Sequence, residues 1–130
     1  GGSPPQALNE RDKDLGWNWK FWERVLRPVV EEIGSKSPLY PALLVPNSKL
    51  PVKVNGDGIE FCVREVGDEI FVLACKRNHT TEEVEFSGLP ANAAGGDMLF
   101  EEPRKVEINH GKFKDWFAPF EVHVYRFRTK

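Results

Sequence analysis

The sequence predicts a mainly β protein: a two-sheet antiparallel β-sandwich of about seven or eight strands, Ig-like or Greek-key in type. One N-terminal helix, packed on a sheet, precedes it. Three observations carry this expectation. From Ile59 onward, short runs rich in β-branched and aromatic residues alternate with turns bearing Gly, Asn and Asp. Only Trp17 to Ile33 shows the three- and four-residue apolar spacing of a helix. Finally, Ile70–Cys75 and the strand from Phe120 to Phe127 are largely apolar on both sides. Such strands are normally central and covered twice, and the helix is the expected second cover.

In chain order, residues 1–16 read as a polar, flexible arm in which Gly1-Gly2-Ser3 resembles a tag remnant. The helix is expected within residues 17–34, with Trp19, Trp22, Leu26, Val29, Val30 and Ile33 on one stripe. Trp17 and Phe21 add aromatic surface beside it. Pro28 either kinks this helix or opens a second one, and Gly34 suits its C-cap. Residues 35–50, with Pro38, Pro41 and Pro46, read as an extended linker. The β-sandwich is expected over 51–130. Its strands are Ile59–Val66, Glu69–Lys76, Thr81–Phe86, Met98–Glu101, Arg104–Ile108, Lys112–Phe117 and the C-terminal strand. Gly67-Asp68 and Asn109-His110-Gly111 make tight turns, and Ser87–Asp97 a loop.

Lys and Arg total 18 against 20 for Asp and Glu, and no long basic stretch occurs. That argues against a partner held by phosphate neutralisation, and hence against nucleic acid. No apolar run approaches the roughly 20 residues of a membrane helix, so no membrane partner is expected. Localisation is not readable from the N-terminus, which lacks a signal-peptide pattern.

The chemistry-bearing residues are few. Glu31-Glu32 and Glu101-Glu102 are adjacent acids whose side chains diverge, unlike the facing pair that glycoside hydrolysis requires. His79, His110 and His123 have no metal-ligand spacing, and no cofactor is implied. The Asn55–Gly58 turn offers oxygens to Ca²⁺ but reads better as a simple turn. Asn78-His79-Thr80 is an N-glycosylation sequon, which marks an exposed turn. Cys62 and Cys75 lie on one face of a hairpin, either opposite or one diagonal step apart. A disulfide needs the opposite arrangement, whereas the burial habit of free cysteine favours two thiols. Trp116 shares its face with Lys112 and Lys114 and is the best ring for stacking on a sugar. Packing at a sheet edge or a domain boundary is the plainer reading of it.

Phe113, Asp115 and the run Phe117-Ala118-Pro119-Phe120-Glu121-Val122-His123-Val124-Tyr125-Arg126 resemble a closing phrase. That phrase is common in the C-terminal β-sandwich domains that follow the (β/α)8 catalytic barrel of many glycoside hydrolases. Phe71–Ala74, Asn78, Val84–Phe86 and Ser87-Gly88-Leu89-Pro90 agree with it, and Trp22–Leu44 looks like the last barrel helix with its linker. The resemblance implies a non-catalytic accessory domain whose partner is the barrel of the same chain. Trp17, Trp19, Phe21, Trp22, Leu26, His123, Tyr125 and Phe127 are then candidates for interdomain packing. An extracellular or periplasmic location follows if the parent degrades polysaccharide. The alternatives are a carbohydrate-binding module acting on polysaccharide through Trp116, and a stand-alone protein-interaction domain.

Overall fold

The computed structural model describes residues 27–34, 37, 39–99 and 104–129. Its elements are α1 (Arg27–Ile33), α2 (Tyr40–Leu43), β1 (Lys53–Val54), β2 (Ile59–Val66) and β3 (Glu69–Lys76). After these come β4 (Glu82–Ser87), β5 (Ala94–Leu99), β6 (Ile108–Asn109), β7 (Lys112–Phe117) and β8 (Val122–Arg128). They form two four-stranded antiparallel sheets, ordered β1-β4-β7-β6 and β2-β3-β8-β5. Only β2–β3 and β6–β7 are sequential hairpins within a sheet; every other connection crosses the sandwich. The expected two-sheet sandwich is present.

The core between the sheets is built on aromatic residues. Phe86 stacks on Phe113 at 4.8 Å, and Phe113 meets Tyr125 at 4.8 Å and Phe127 at 5.0 Å. Val63, Ile70, Val72, Val84, Met98 and Val106 fill the space around them. β3 and β8 are adjacent inner strands, which accounts for their apolar character on both sides.

The register decides which residues share a face. Leu73 lies opposite Val124, Cys75 opposite Val122, and Val72 opposite Tyr125. Phe71, Leu73, Val122 and Val124 therefore turn outward, while Tyr125 and Phe127 point between the sheets. Tyr125 and Phe127, expected in interdomain packing, are placed in the core by this register instead. Phe120 also lies outside β8. It sits in the turn before it with φ of 60° and is 52% exposed.

Residues 39–50 are no mere linker. Leu39, Ala42 and Leu43 are buried against Cys62, Phe71, Leu73, Cys75 and Val124. Pro41 stands at the start of α2, where a missing N–H costs nothing. The chain then runs along β2: Ser48 N–H donates to the Val63 carbonyl at 2.7 Å, and Val63 N–H to Asn47 Oδ1 at 3.2 Å. This strap covers the outer face that the sequence assigned to the long helix. Of that helix, α1 ends at Gly34 with φ of 62°, as a glycine cap should. Its described side chains, Arg27, Pro28, Glu31 and Glu32, are exposed. Trp17, Trp19, Phe21, Trp22 and Leu26 lie outside the described residues.

The stretch expected as a loop up to Asp97 instead contains the start of β5. Gly95 and Gly96 take φ of 104° and 65° and shift the register against β8 between Ala94 and Asp97. A Cβ on Gly96 would collide with the Val106 carbonyl oxygen, so only glycine lets the Val106 segment pass there. The expected strand Arg104–Ile108 shrinks to a bridge between Lys105 and Asp97, then β6.

Candidate functional site

β7 alternates exposed and buried residues, so one strand feeds two different environments. Its inward residue Asp115 anchors a buried polar network. Arg104 grips it with both terminal nitrogens at 3.0 Å, Tyr125 Oη donates at 2.7 Å and Trp116 N–H at 2.9 Å. Four donors occupy the four lone-pair positions of one carboxylate. His123, also buried, places Nε2 3.0 Å from the Trp116 carbonyl oxygen and 3.3 Å from Glu121 Oε1. Both of those atoms only accept, so Nε2 carries the proton. Glu121 Oε1 in turn receives the Ala118 N–H at 2.8 Å and closes the turn that holds Phe120.

The polar residues of the closing phrase, Asp115, Glu121, His123 and Tyr125, thus form one connected structural assembly. His123, Tyr125 and Phe127 are interior to the sandwich, which differs from the interdomain surface expected of them. Arg104 was missed because it stands 11 residues from Asp115 across a hairpin, with no local pattern to mark it.

The outward side of β7 presents Lys112, Lys114 and Trp116. Trp116 is 57% exposed and stands opposite Glu83; Lys114 stands opposite Glu85 and Lys112 opposite Asn109. A groove of about 380 Å³ runs beside them, lined by Glu85, Glu107, Asn109, Lys112, Phe113 and Lys114. The face therefore carries donors, acceptors and one open ring.

The remaining sequence candidates fall elsewhere. Cys62 faces Leu73 and Cys75 faces Glu60, so the two sulfurs belong to diagonal positions. Diagonal partners are about 7–8 Å apart, outside disulfide reach, and the two buried cysteines are not bridged. Burial pushes the Cys62 thiol up to about 11. Arg64, completely buried beside it, donates Nη1 to the Val45 carbonyl of the strap at 2.8 Å. Burial lowers its own pKa.

The Asn55–Gly58 turn is satisfied by protein donors. Lys76 Nζ reaches the Asp57 carbonyl at 3.2 Å and Glu82 Oε1 at 3.1 Å, and Asn55 Oδ1 accepts from Glu85 N–H at 2.7 Å. Among the described residues, no group of three or more His, Cys, Asp or Glu side chains could hold a metal ion. Asn78 is half-buried and accepts from Thr80 Oγ1 at 2.9 Å, while His79 packs edge-on against Phe120 at 4.9 Å. Glu31 and Glu32 are exposed on α1, and Glu101-Glu102 lie outside the described residues.

The sequence matches no protein-family model and no curated protein. Among solved structures it is similar to an α-amylase from Geobacillus thermoleovorans, complexed with acarbose, at 21% identity and a TM-score of 0.49. The match covers 69% of this chain and 20% of that one, so the chain spans a minor part of the length of its structural neighbour.

Proposed function

We propose that this chain is the non-catalytic β-sandwich domain of a glycoside hydrolase and stabilises a (β/α)8 catalytic barrel of the same polypeptide. The observation that carries the reading is the use to which the closing phrase is put. Asp115, Glu121, His123 and Tyr125 are consumed in fixing the β7–β8 turn and the buried end of β8. Asp115 has no lone pair left for a substrate proton, since Arg104, Tyr125 and Trp116 N–H already take them. The strap supplies the connection: residues 39–50 lead into the sandwich as a packed segment, able to transmit a barrel's position to the sheet.

Two measurements test this. The natural gene upstream of the codon for Gly1 should encode a (β/α)8 barrel, and removing residues 39–130 from that enzyme should lower the barrel's melting temperature by several degrees. An upstream region without a barrel refutes the proposal. So does turnover of aryl glycosides by the purified chain that co-purifies with it through successive columns.

A further inference from the structure

A single exposed tryptophan on a protein surface needs no explanation. Three features set Trp116 apart. First, its backbone is fixed on both sides: the N–H is bound by Asp115 at 2.9 Å, and the carbonyl lies 3.0 Å from His123 Nε2. The ring therefore rises from an inner strand whose main chain is held by buried side chains, so a stacked ligand incurs no cost of ordering the backbone. Second, the groove beside it begins at Lys114, two residues and about 7 Å along the strand. Ring and groove thus follow one another along the outward side of β7, with β4 and β6 beside them. Third, the charges on that face balance. Glu83, Glu85 and Glu107 are matched in number by Lys53, Lys112 and Lys114, all on or beside the outward side of the same sheet.

A balanced set of carboxylates and ammonium groups gives no net attraction for an anionic or a cationic polymer. It does provide both acceptors and donors at short spacing, which suits neighbouring hydroxyl groups. An exposed indole face adds an apolar platform for the axial C–H groups of a pyranose. We infer that the open face of the β1-β4-β7-β6 sheet is a surface site for a neutral, hydroxyl-rich polysaccharide chain, stacked on Trp116 and hydrogen-bonded along the Glu85–Lys114 groove. This does not depend on the barrel reading, because the face lies on the side of the sandwich away from the strap.

Affinity electrophoresis of the full chain tests it, with amylopectin, xyloglucan, galactomannan and polygalacturonate as probes. At least one neutral polymer should retard the protein. Trp116→Ala should weaken that retardation about tenfold, with an unchanged melting temperature because the ring is exposed. Trp116→Tyr should keep part of the retardation, and Phe120→Ala, which removes the other exposed large hydrophobic ring among the described residues, should leave it intact. Four results overturn the inference: no retardation by any neutral polymer, retardation by polygalacturonate alone, retardation that survives Trp116→Ala, or a concentration-dependent dimer that Trp116→Ala abolishes. The last would assign the face to a second copy of the chain.

Discussion

Replacing Leu39 by Ala probes the strap directly. Leu39 is fully buried, and with Ala42 and Leu43 it covers Cys62, Phe71, Leu73, Cys75 and Val124. Core Leu→Ala changes cost about 2–5 kcal/mol, depending on how far the site collapses. Leu39 belongs to a thin covering layer that can settle onto the sheet, so a value near the lower end, about 2–3 kcal/mol, is expected. The loss should have a particular character. The strap should open before the sheets separate, because its polar ties to β2 are few and partly exposed: Ser48 and Asn47 to Val63, Ser48 Oγ to Glu65, and Val45 to Arg64. Cys62 and Cys75 report that opening, since both lie beneath the strap. In native buffer, a thiol reagent should modify the Leu39→Ala protein many times faster than the parent, while circular dichroism stays that of the folded sandwich. Complete removal of the strap, leaving residues 51–130, should be worse. Leu39, Leu43, Phe71, Leu73 and Val124 at roughly 1.5–3 kcal/mol each represent on the order of 10 kcal/mol, comparable to the net stability of a domain. The truncated protein should aggregate or lose cooperative unfolding. An unchanged denaturation midpoint together with unchanged thiol protection in Leu39→Ala would refute the reasoning.

Two further predictions concern buried polar groups. Burial raises the Cys62 thiol from its ordinary 9.0 to about 11, against the weaker opposing pull of Arg64. The unfolded thiol ionises first, so the native state holds more protons between those values. This contribution is therefore intact below about pH 9 and is lost as pH rises toward 11, a change of about 3 kcal/mol. Denaturation midpoints across that range should fall more steeply for the parent than for Cys62→Ala; equal slopes would show that the thiol stays ionisable in the fold. At the network, Asp115→Asn should cost about 2–4 kcal/mol, because the amide cannot accept from all four donors and leaves Arg104 without its anion. Tyr125→Phe removes one of those bonds and should cost about half as much in the same urea titration. Equal and negligible losses would mean that the network is not structural.

Much of the sandwich was legible because turn chemistry and alternation agree locally. Gly67-Asp68 between two eight-residue β runs produces the β2–β3 hairpin as expected, and His110-Gly111, with φ of 53° and 76°, makes the two-residue turn into β7. Alternation alone puts Val122 and Val124 on one face of β8 and His123, Tyr125 and Phe127 on the other. It does not show which face is inward when both are apolar; the register against β3 decides that, and Tyr125 and Phe127 went inside. The strap was obscured by its prolines, yet Leu39, Ala42 and Leu43 have the three- and four-residue spacing of a helical face. Gly95-Gly96 looked like loop because glycine is the usual sign of one, whereas here it lets β5 bulge past Val106. Trp116 was legible as an outward ring. The rigidity of its backbone was not, because it depends on Asp115 and His123 meeting it from a buried assembly that also draws in Arg104.

The two outer faces of this sandwich face different physical demands, and this separates its two proposed roles. The β2-β3-β8-β5 sheet has an apolar outer face, which water would penalise, and the chain's own strap covers it. Within the strap, Leu44 at the end of α2 is left 68% exposed. The β1-β4-β7-β6 sheet needs no cover, since Glu83, Glu85, Lys112 and Lys114 keep its outer face solvated. The Trp116 ring on that face, 57% exposed, adds little to the burial that stabilises the sandwich. Trp116 thus stands on the sheet that the strap does not cover, and a polysaccharide could reach it there without disturbing the contacts of the strap.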